Sequence, residues 1–224
     1  MKNSFEFKNI KAIHSKDNLF DMIEEGEHVQ QDFKYAISDS RKIARSISAF
    51  ANNCGGRLLI GVKDNGNLVG VKSEEEFYMI EQAAESFCIP PQKVENAVYT
   101  YSGKCVLVVT VKPSDKLVIV KEEGGKKKAY YRVADENILI PKDIEFILQQ
   151  AENCTKTNFS QTEANVLDYI ESNAGVDIQE IAISLKMSTH SVSLAVMQLY
   201  KMGLVKFDYK NKWHLLPNEN SDAI

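Results

Sequence analysis

The sequence lacks the features that would assign it at once to a membrane, zinc-binding or disulfide-rich class. No C-x-x-C spacing occurs among its four cysteines, Cys54, Cys88, Cys105 and Cys154, so neither a zinc ribbon nor a disulfide framework is expected. No apolar run is long enough to span a bilayer, and the N-terminus has no apolar core of a secretory signal. We therefore expect a cytoplasmic protein that has no contact with a membrane.

An excess of positive charge is also missing. The 224 residues contain 27 Lys and Arg against 31 Asp and Glu, a net charge of −4. This balance does not favour a protein that coats nucleic acid through bulk charge. Two segments are nevertheless locally basic, residues 126–132 and residues 186–213, the second with five Lys and one Asp. Any contact with nucleic acid is therefore expected to be local.

The pattern of apolar residues divides the chain into two domains. Residues 1–152 combine helical periods with several short β-rich stretches, which predicts an α+β domain with a mixed sheet and flanking helices. The clearest helix is predicted from Ser40 to Asn53, ending before the Gly55-Gly56 pair. Residues 153–159 carry turn-forming residues without periodicity, which predicts a linker. Residues 160–224 form the second predicted domain.

This second domain is predicted to be a small winged helix-turn-helix. Three short helices with N-terminal caps precede a hairpin, the element order of that fold. The third helix of such modules enters the major groove, so its polar residues and the lysines of the wing are candidate nucleic-acid contacts. These candidates are Thr189, His190, Ser191, Ser193, Lys201, Lys206, Lys210 and Lys212. The alternative is a winged helix used for packing or dimerisation, and a homodimer is expected because paired half-sites multiply affinity.

Motifs in the first domain resemble the Schlafen AlbA-like DNA-binding domain family. They are the pattern E-x-x-x-x-D-F-K at 27–34, the string AFANNCGGRLLIGV at 49–62, and the strand AYYRV at 129–133. The resemblance extends from about Glu24 to Ile140. It implies a nucleic-acid-binding α+β domain, and it also brings the ATP-binding label that some members carry. A P-loop is absent from the sequence, because no Lys-Ser or Lys-Thr follows the glycines.

The resemblance further implies a nuclease alternative. In Schlafen proteins with RNase activity three acidic residues hold a divalent cation, and the matching positions here are Glu27, Asp32 and Asp64. These residues would be catalytic and would bind Mg or Mn. The chain departs from the family pattern because Asp32 stands in place of a second Glu and Lys63 shifts the third acid by one position. The competing interpretation is that the acids form structural ion pairs with Lys34, Arg41 or Arg57.

A basic and aromatic segment gives the first domain a second candidate surface. Cations beside aromatic rings suit backbone contact and base stacking, and the candidates here are Lys126, Lys127, Lys128, Tyr130 and Arg132. The alternative is a solvated hairpin tip that follows Gly124-Gly125. Together the two domains predict a nucleic-acid-binding transcriptional regulator with DNA as the main partner and RNA as an alternative. The rival hypotheses are a metal-dependent RNA nuclease and a nucleotide-binding sensor.

Overall fold

The computed structural model describes residues 12–13, 16–154, 159–210 and 212–218. The chain divides into two compact units, the first ending at Ile140 and the second beginning at Pro141. This division lies before the linker predicted at residues 153–159, because helix α4 (Lys142–Asn153) packs against α7 (Thr189–Lys201) of the second unit. Within the described ranges, no helix combines the length and apolar character needed to cross a membrane.

A mixed five-stranded sheet forms the base of the first unit. Its strands, in spatial order, are β1 (Ala12–Ile13), β5 (Val94–Tyr101), β6 (Lys104–Val111), β3 (Gly56–Ile60) and β2 (Gln31–Lys34). The pairs β1–β5 and β2–β3 are parallel, and β5–β6 and β3–β6 are antiparallel. The short strand β2 therefore lies at one edge of the sheet.

A second sheet in this unit has four antiparallel strands. They are β4 (Cys88–Ile89), β7 (Ile119–Lys121), β8 (Lys127–Val133) and β9 (Glu136–Leu139). Two further helices, α1 (Lys16–Glu25) and α3 (Glu75–Gln82), complete the unit, and α3 continues into a π-helical turn at Ala83–Phe87.

Helix α2 (Ser40–Ala51) contacts both sheets. The Asp39 side chain caps it by accepting a hydrogen bond of 2.8 Å from Arg41 N. The helix is buried around most of its circumference, Ser46 and Ser48 included. Side chains of β3 and β6 alternate between α2 on one face of the first sheet and α1 on the other. Burial of both faces explains the continuous apolar runs at 58–60 in β3 and 105–109 in β6.

Sequence periodicity missed two features of the first sheet. The turn signal at Asp64–Asn67 followed by the apolar residues 68–71 favours a return strand beside β3, but a single bridge, between Val62 and Leu68, forms there. Instead, β3 pairs with β6 and with the parallel strand β2. Strand β2 is four residues long and carries Asp32 and Lys34, so it has no clear apolar alternation.

The second unit is a winged helix. Helices α5 (Gln161–Ser172), α6 (Ile178–Ser184) and α7 are followed by the antiparallel strands β10 (Val205–Asp208) and β11 (His214–Pro217). Capping boxes begin α5 and α6. A bridge from Val176 to Leu215 adds a third short segment to the wing. The predicted α+β domain followed by a winged helix is confirmed.

Candidate functional site

Asp32 lies at the centre of a buried polar network between the two sheets of the first unit. Its side chain is almost fully buried, and its Oδ2 lies 2.7 Å from Lys34 Nζ and accepts a hydrogen bond of 3.3 Å from Ser46 Oγ. Its Oδ1 lies 3.4 Å from the buried Arg132 guanidinium. Asp32 therefore carries a structural charge pair with Lys34, one of the partners considered from the sequence.

Glu27 and Arg132 cap the outer edge of strand β2. Glu27 Oε1 accepts a hydrogen bond of 2.8 Å from Phe33 N, and Arg132 Nη2 donates one of 3.1 Å to Gln31 O. Arg132 Nη1 also donates to Asn137 Oδ1 at 3.0 Å. Glu27 thus satisfies an N–H that a neighbouring strand would otherwise pair. Arg132 adds a second donor to Gln31 O, which also accepts a hydrogen bond of 2.9 Å from His28 N. Both therefore have a structural task at this edge.

The two acids of this network have shifted pKa values in opposite directions. Burial acts to raise the pKa of Asp32, but the hydrogen bond with Glu27 and the charges of Lys34 and Arg132 bring it below its usual range. Burial, and then the hydrogen bond with Asp32, raises the pKa of Glu27. Within this pair, Asp32 therefore loses its proton more readily than Glu27 does.

The third acid of the predicted metal site does not join this pair. Asp64 lies exposed in the turn after β3, and the described part of the chain contains no group of three or more His, Cys, Asp or Glu that could hold a metal ion. The predicted grouping of Glu27, Asp32 and Asp64 is therefore not formed. Asp32 is neutralised by two cations, so the donor set does not fit Mg or Mn.

The structure also removes two residues from the predicted basic and aromatic surface. Arg132 and Tyr130 are 2% and 8% exposed, because alternate residues of β8 point toward α2. Tyr130 donates a hydrogen bond of 2.6 Å to Glu122 Oε1, and burial followed by this bond raises the pKa of Tyr130 to about 12. Neither ring nor guanidinium is available for nucleic acid.

Lysines remain at the tip of the same hairpin. Lys126 and Lys127 are exposed and Lys128 is half-buried. Lys127 pairs directly across from Lys121, another exposed lysine, on β7. The hairpin thus keeps a cationic tip, whereas Tyr130 and Arg132 lie in the interior.

The Gly55-Gly56 pair serves packing and chain reversal. A Cβ on Gly56 would overlap the Phe50 ring and lie 2.8 Å from Gln30 O. Gly55 lies between α2 and β3 and has a φ of +73°, a conformation that glycine adopts readily. Close packing therefore accounts for these glycines, and they form no phosphate cradle of the kind that an ATP site would use.

In the winged helix, the predicted contacts separate into exposed and buried groups. Thr189, His190 and Ser191 are exposed on the first turn of α7, whereas Ser193 is 5% exposed and faces the core. Ser193 is therefore not a surface contact, because it lies on the buried side of α7 with Val192 and Val196. Ser188 caps the helix by accepting a hydrogen bond of 3.1 Å from Ser191 N.

Four lysines complete the predicted winged-helix surface. Lys201 is exposed at the end of α7 and donates a hydrogen bond of 3.1 Å to Ala151 O. Lys206 lies exposed on β10, and Lys210 and Lys212 lie exposed in the turn of the wing. A T-shaped contact of Tyr209 with the buried Trp213 ring, with 4.9 Å between centroids, supports this turn.

Two family models match the chain. Residues 27–141, more than half of the chain, match the family described as Schlafen, AlbA_2. The chain belongs to this family. Residues 141–206 match the family described as Replication protein A C terminal, whose region here is the winged helix. Together, the Schlafen AlbA_2 domain and the winged helix suggest binding of nucleic acid. No curated protein matches the chain.

Solved structures that are similar to this Schlafen AlbA_2 protein include one from Corynebacterium diphtheriae and one from Nitrosomonas europaea. The DIP2311 protein of Corynebacterium diphtheriae is 15% identical over 69% of this chain, with a TM-score of 0.43. The match spans only 39% of that longer protein. The N-terminal domain of a RecG-related protein from Nitrosomonas europaea is 24% identical over 58% of this chain and 97% of that domain, with a TM-score of 0.39.

The Asn residues of the Schlafen AlbA_2 motif dock α2 onto the second sheet. Asn52 Nδ2 donates hydrogen bonds of 2.9 Å to Val118 O and to Tyr130 O, and its Oδ1 accepts one of 2.7 Å from Val118 N. Asn53 Nδ2 donates to Arg132 O at 2.8 Å. The most recognisable string of the family motif is therefore explained by assembly of the fold.

One exposed group of this domain was missed from the sequence. Tyr35 is 43% exposed, and the ammonium groups of Lys63 and Lys72 lie 5.7 Å and 4.5 Å from the centroid of its ring. The three residues come from separate segments, so no local pattern unites them. The sequence offered one signal for this group, because Tyr35 follows the motif at 27–34 and Lys63 follows the motif at 49–62.

Proposed function

We propose that the chain binds double-stranded DNA through its winged helix and acts as a transcriptional regulator. The observation that carries this proposal is the exposure of three wing lysines in the same unit as the polar first turn of α7. These lysines are Lys206, Lys210 and Lys212. In winged-helix modules, this turn contacts base edges and the wing contacts the backbone.

The local charge supports the same proposal. Residues 186–213 contain five Lys and a single acid, Asp208. The Asp208 carboxylate accepts a hydrogen bond of 3.1 Å from Lys210 N, so it helps to shape the turn of the wing. Lysines that contact phosphates release counterions, which makes affinity depend on salt. The net charge of −4 for the whole chain then limits binding elsewhere on the molecule.

A salt titration with a matched control tests the binding. The variant Lys206→Ala/Lys210→Ala/Lys212→Ala is compared with Lys93→Ala/Lys112→Ala/Lys116→Ala, which removes three exposed lysines of the first unit. Fluorescence anisotropy with a labelled duplex is measured between 50 and 200 mM salt. We expect the wing variant to lose at least about tenfold in affinity and its log–log salt slope to fall by about 2 to 3.

The control variant should keep the affinity and slope of the natural chain. Equal losses in the two variants, or no loss in the wing variant, would refute the assignment to the wing.

The regulator role is tested by selection from random duplexes. Enrichment of one sequence supports it, and enrichment of two half-sites supports the expected homodimer. If the recovered duplexes show no enriched sequence, the proposal that the chain acts as a transcriptional regulator is contradicted.

A further inference from the structure

We propose that Tyr35, Lys63 and Lys72 form a second site, in the Schlafen AlbA_2 domain, that binds single-stranded nucleic acid. This site is in a different unit from the winged helix. It uses none of the residues assigned to duplex DNA. It can therefore be present or absent whatever the outcome for the wing.

The topology places two of these residues at one end of the first sheet, where strands β2 and β3 finish. Tyr35 directly follows β2, and Lys63 comes three positions after β3. The two strands are parallel neighbours, so their carboxyl ends lie at the same end of the sheet. Ligands of sheets with parallel strands commonly bind outside this end.

The buried carboxylate of Glu76 holds the third residue, Lys72, at this end of the sheet. Glu76 is 4% exposed, and its Oε1 accepts a hydrogen bond of 2.8 Å from Lys72 N. Its Oε2 accepts one of 3.0 Å from Ile37 N, two residues after Tyr35. One buried acid thus holds both backbone segments, although they lie far apart in the sequence. A charged group is rarely buried without such a task.

Two glycines hold the Lys72 segment close to Lys63. Gly61 O accepts a hydrogen bond of 2.9 Å from Gly70 N, and a Cβ on Gly61 would lie 2.8 Å from the Gly70 carbonyl carbon. Gly61 also has a φ of +96°, a conformation that side chains rarely adopt. The backbone on both sides of Tyr35 is therefore fixed, while the three side chains point to solvent.

The side chains combine a ring with two positive charges. The Lys72 ammonium lies 4.5 Å from the centroid of the Tyr35 ring and the Lys63 ammonium lies 5.7 Å from it. The hydrogen bond from Lys72, followed by its charge, lowers the pKa of Tyr35. None of the carboxylate ion pairs found in the described ranges involves Lys63 or Lys72. The two like charges therefore remain available for an anion.

This combination fits an unpaired nucleotide. An exposed aromatic ring stacks on a base, and neighbouring lysines contact the adjoining phosphates. The bases of a duplex are already stacked on each other and do not present their faces to such a ring. A single strand satisfies both the ring and the ammonium groups. RNA and DNA share this chemistry and differ only in the 2′-hydroxyl.

The test uses the full chain carrying the Lys206→Ala/Lys210→Ala/Lys212→Ala substitutions, so that duplex binding by the wing is removed. Binding of labelled oligo-dT, oligo-rU and a duplex is measured by anisotropy. In this background, we expect Tyr35→Ala to weaken single-strand binding about tenfold and Tyr35→Phe to keep it. Lys63→Ala/Lys72→Ala should weaken it and reduce the salt slope by about 1 to 2.

The matched control is Tyr78→Ala, which removes a tyrosine that is 59% exposed on α3. It should leave single-strand binding unchanged, and thermal unfolding of each variant verifies that the fold is retained. Equal effects of Tyr35→Ala and Tyr78→Ala, or no binding to either single strand, would overturn the proposal. Binding to oligo-dT or to oligo-rU supports it, and the ratio of the two affinities identifies the preferred polymer. Failure of wing-dependent duplex binding would leave this result unaffected.

Discussion

Asp32 and Arg132 form a buried ion pair that joins the two sheets of the Schlafen AlbA_2 domain. Asp32 Oδ1 lies 3.4 Å from Arg132 Nη2, and the two side chains are 3% and 1% exposed. Arg132 also lies over the Phe50 ring of α2, with its guanidinium carbon 5.3 Å from the ring centroid. An aspartate and an arginine predicted for catalysis and for nucleic acid are thus partners in the interior.

Asp32→Asn should destabilise the chain by about 3 kcal/mol, because it leaves the buried Arg132 guanidinium without its carboxylate. Urea unfolding at pH 7 measures this change. The matched control Asp64→Asn removes an exposed acid and should cost less than about 0.5 kcal/mol. In the double variant Asp32→Asn/Arg132→Met, the two changes should cost less than the sum of the single changes. Additive losses would show that the pair is not coupled.

Glu122 makes the stability of the fold depend on pH. Its carboxylate accepts hydrogen bonds of 2.7 Å from Arg45 Nε and Nη2, and this interaction with Arg45 is the main reason that its pKa lies below the ordinary value of 4.5. The folded chain therefore binds fewer protons here than the unfolded chain. The resulting stabilisation is complete above pH 4.5 and is lost as the pH falls through the folded pKa.

Glu122→Gln should therefore lower the free energy of unfolding by about 1 kcal/mol at pH 7 and flatten its fall below pH 5. Urea unfolding between pH 7 and pH 3 measures both effects. The neighbouring Glu123→Gln is the matched control, since Glu123 is 85% exposed. An equally steep fall with acid in Glu122→Gln and in the natural chain would contradict this role for Glu122.

Asn52→Ala should destabilise the chain by about 2 to 3 kcal/mol, because it removes the hydrogen-bond partner of Val118 N and of Tyr130 O. Val118 O keeps its hydrogen bond of 2.7 Å from Ser48 Oγ. Asn53→Ala removes a single hydrogen bond and should cost about 1 kcal/mol. Thermal and urea unfolding compare the two variants. If Asn52 instead contacts nucleic acid, its variant will lose affinity with unchanged stability, which is the opposite result.

Ser193→Ala and Lys206→Ala separate the inner and outer sides of the winged helix. Because Ser193 is buried, its substitution should leave duplex affinity unchanged. Lys206→Ala should weaken binding to all sequences alike and lower the salt slope by about 1. Anisotropy titrations at several salt concentrations measure both. A larger loss for Ser193→Ala than for Lys206→Ala would place the interface on another side of α7.

Local sequence signals were sufficient for helices α2, α5 and α6 and for the order of the domains, but they did not predict α1. The caps at Asp39, Ser160 and Asp177 and the period of three and four predicted α2, α5 and α6 near their observed positions. These signals act within a few residues, so one sequence displays them. The family motif at 49–62 was likewise recognisable, because its residues are contiguous in the sequence, although Asn52 and Asn53 bond to carbonyl groups that are remote in the chain.

Long-range pairings could not be read in this way. The parallel strand β2 is short and polar, and its partner β3 follows only after a helix. The basic segment at 126–132 was predicted from composition alone, and strand alternation then directed Tyr130 and Arg132 into the interior. Composition identifies charges and rings, but it does not indicate which face of a sheet they occupy.

The sequence by itself determined that the chain is an α+β domain of the Schlafen AlbA_2 family followed by a winged helix, because helix periods, caps and a contiguous motif are local properties. Only the tertiary structure decided what the polar residues do. It paired Asp32 with Arg132, separated Asp64 from Glu27, and gathered Tyr35, Lys63 and Lys72 from three segments. The physical reason is that burial and charge pairing depend on distances between residues remote in the chain.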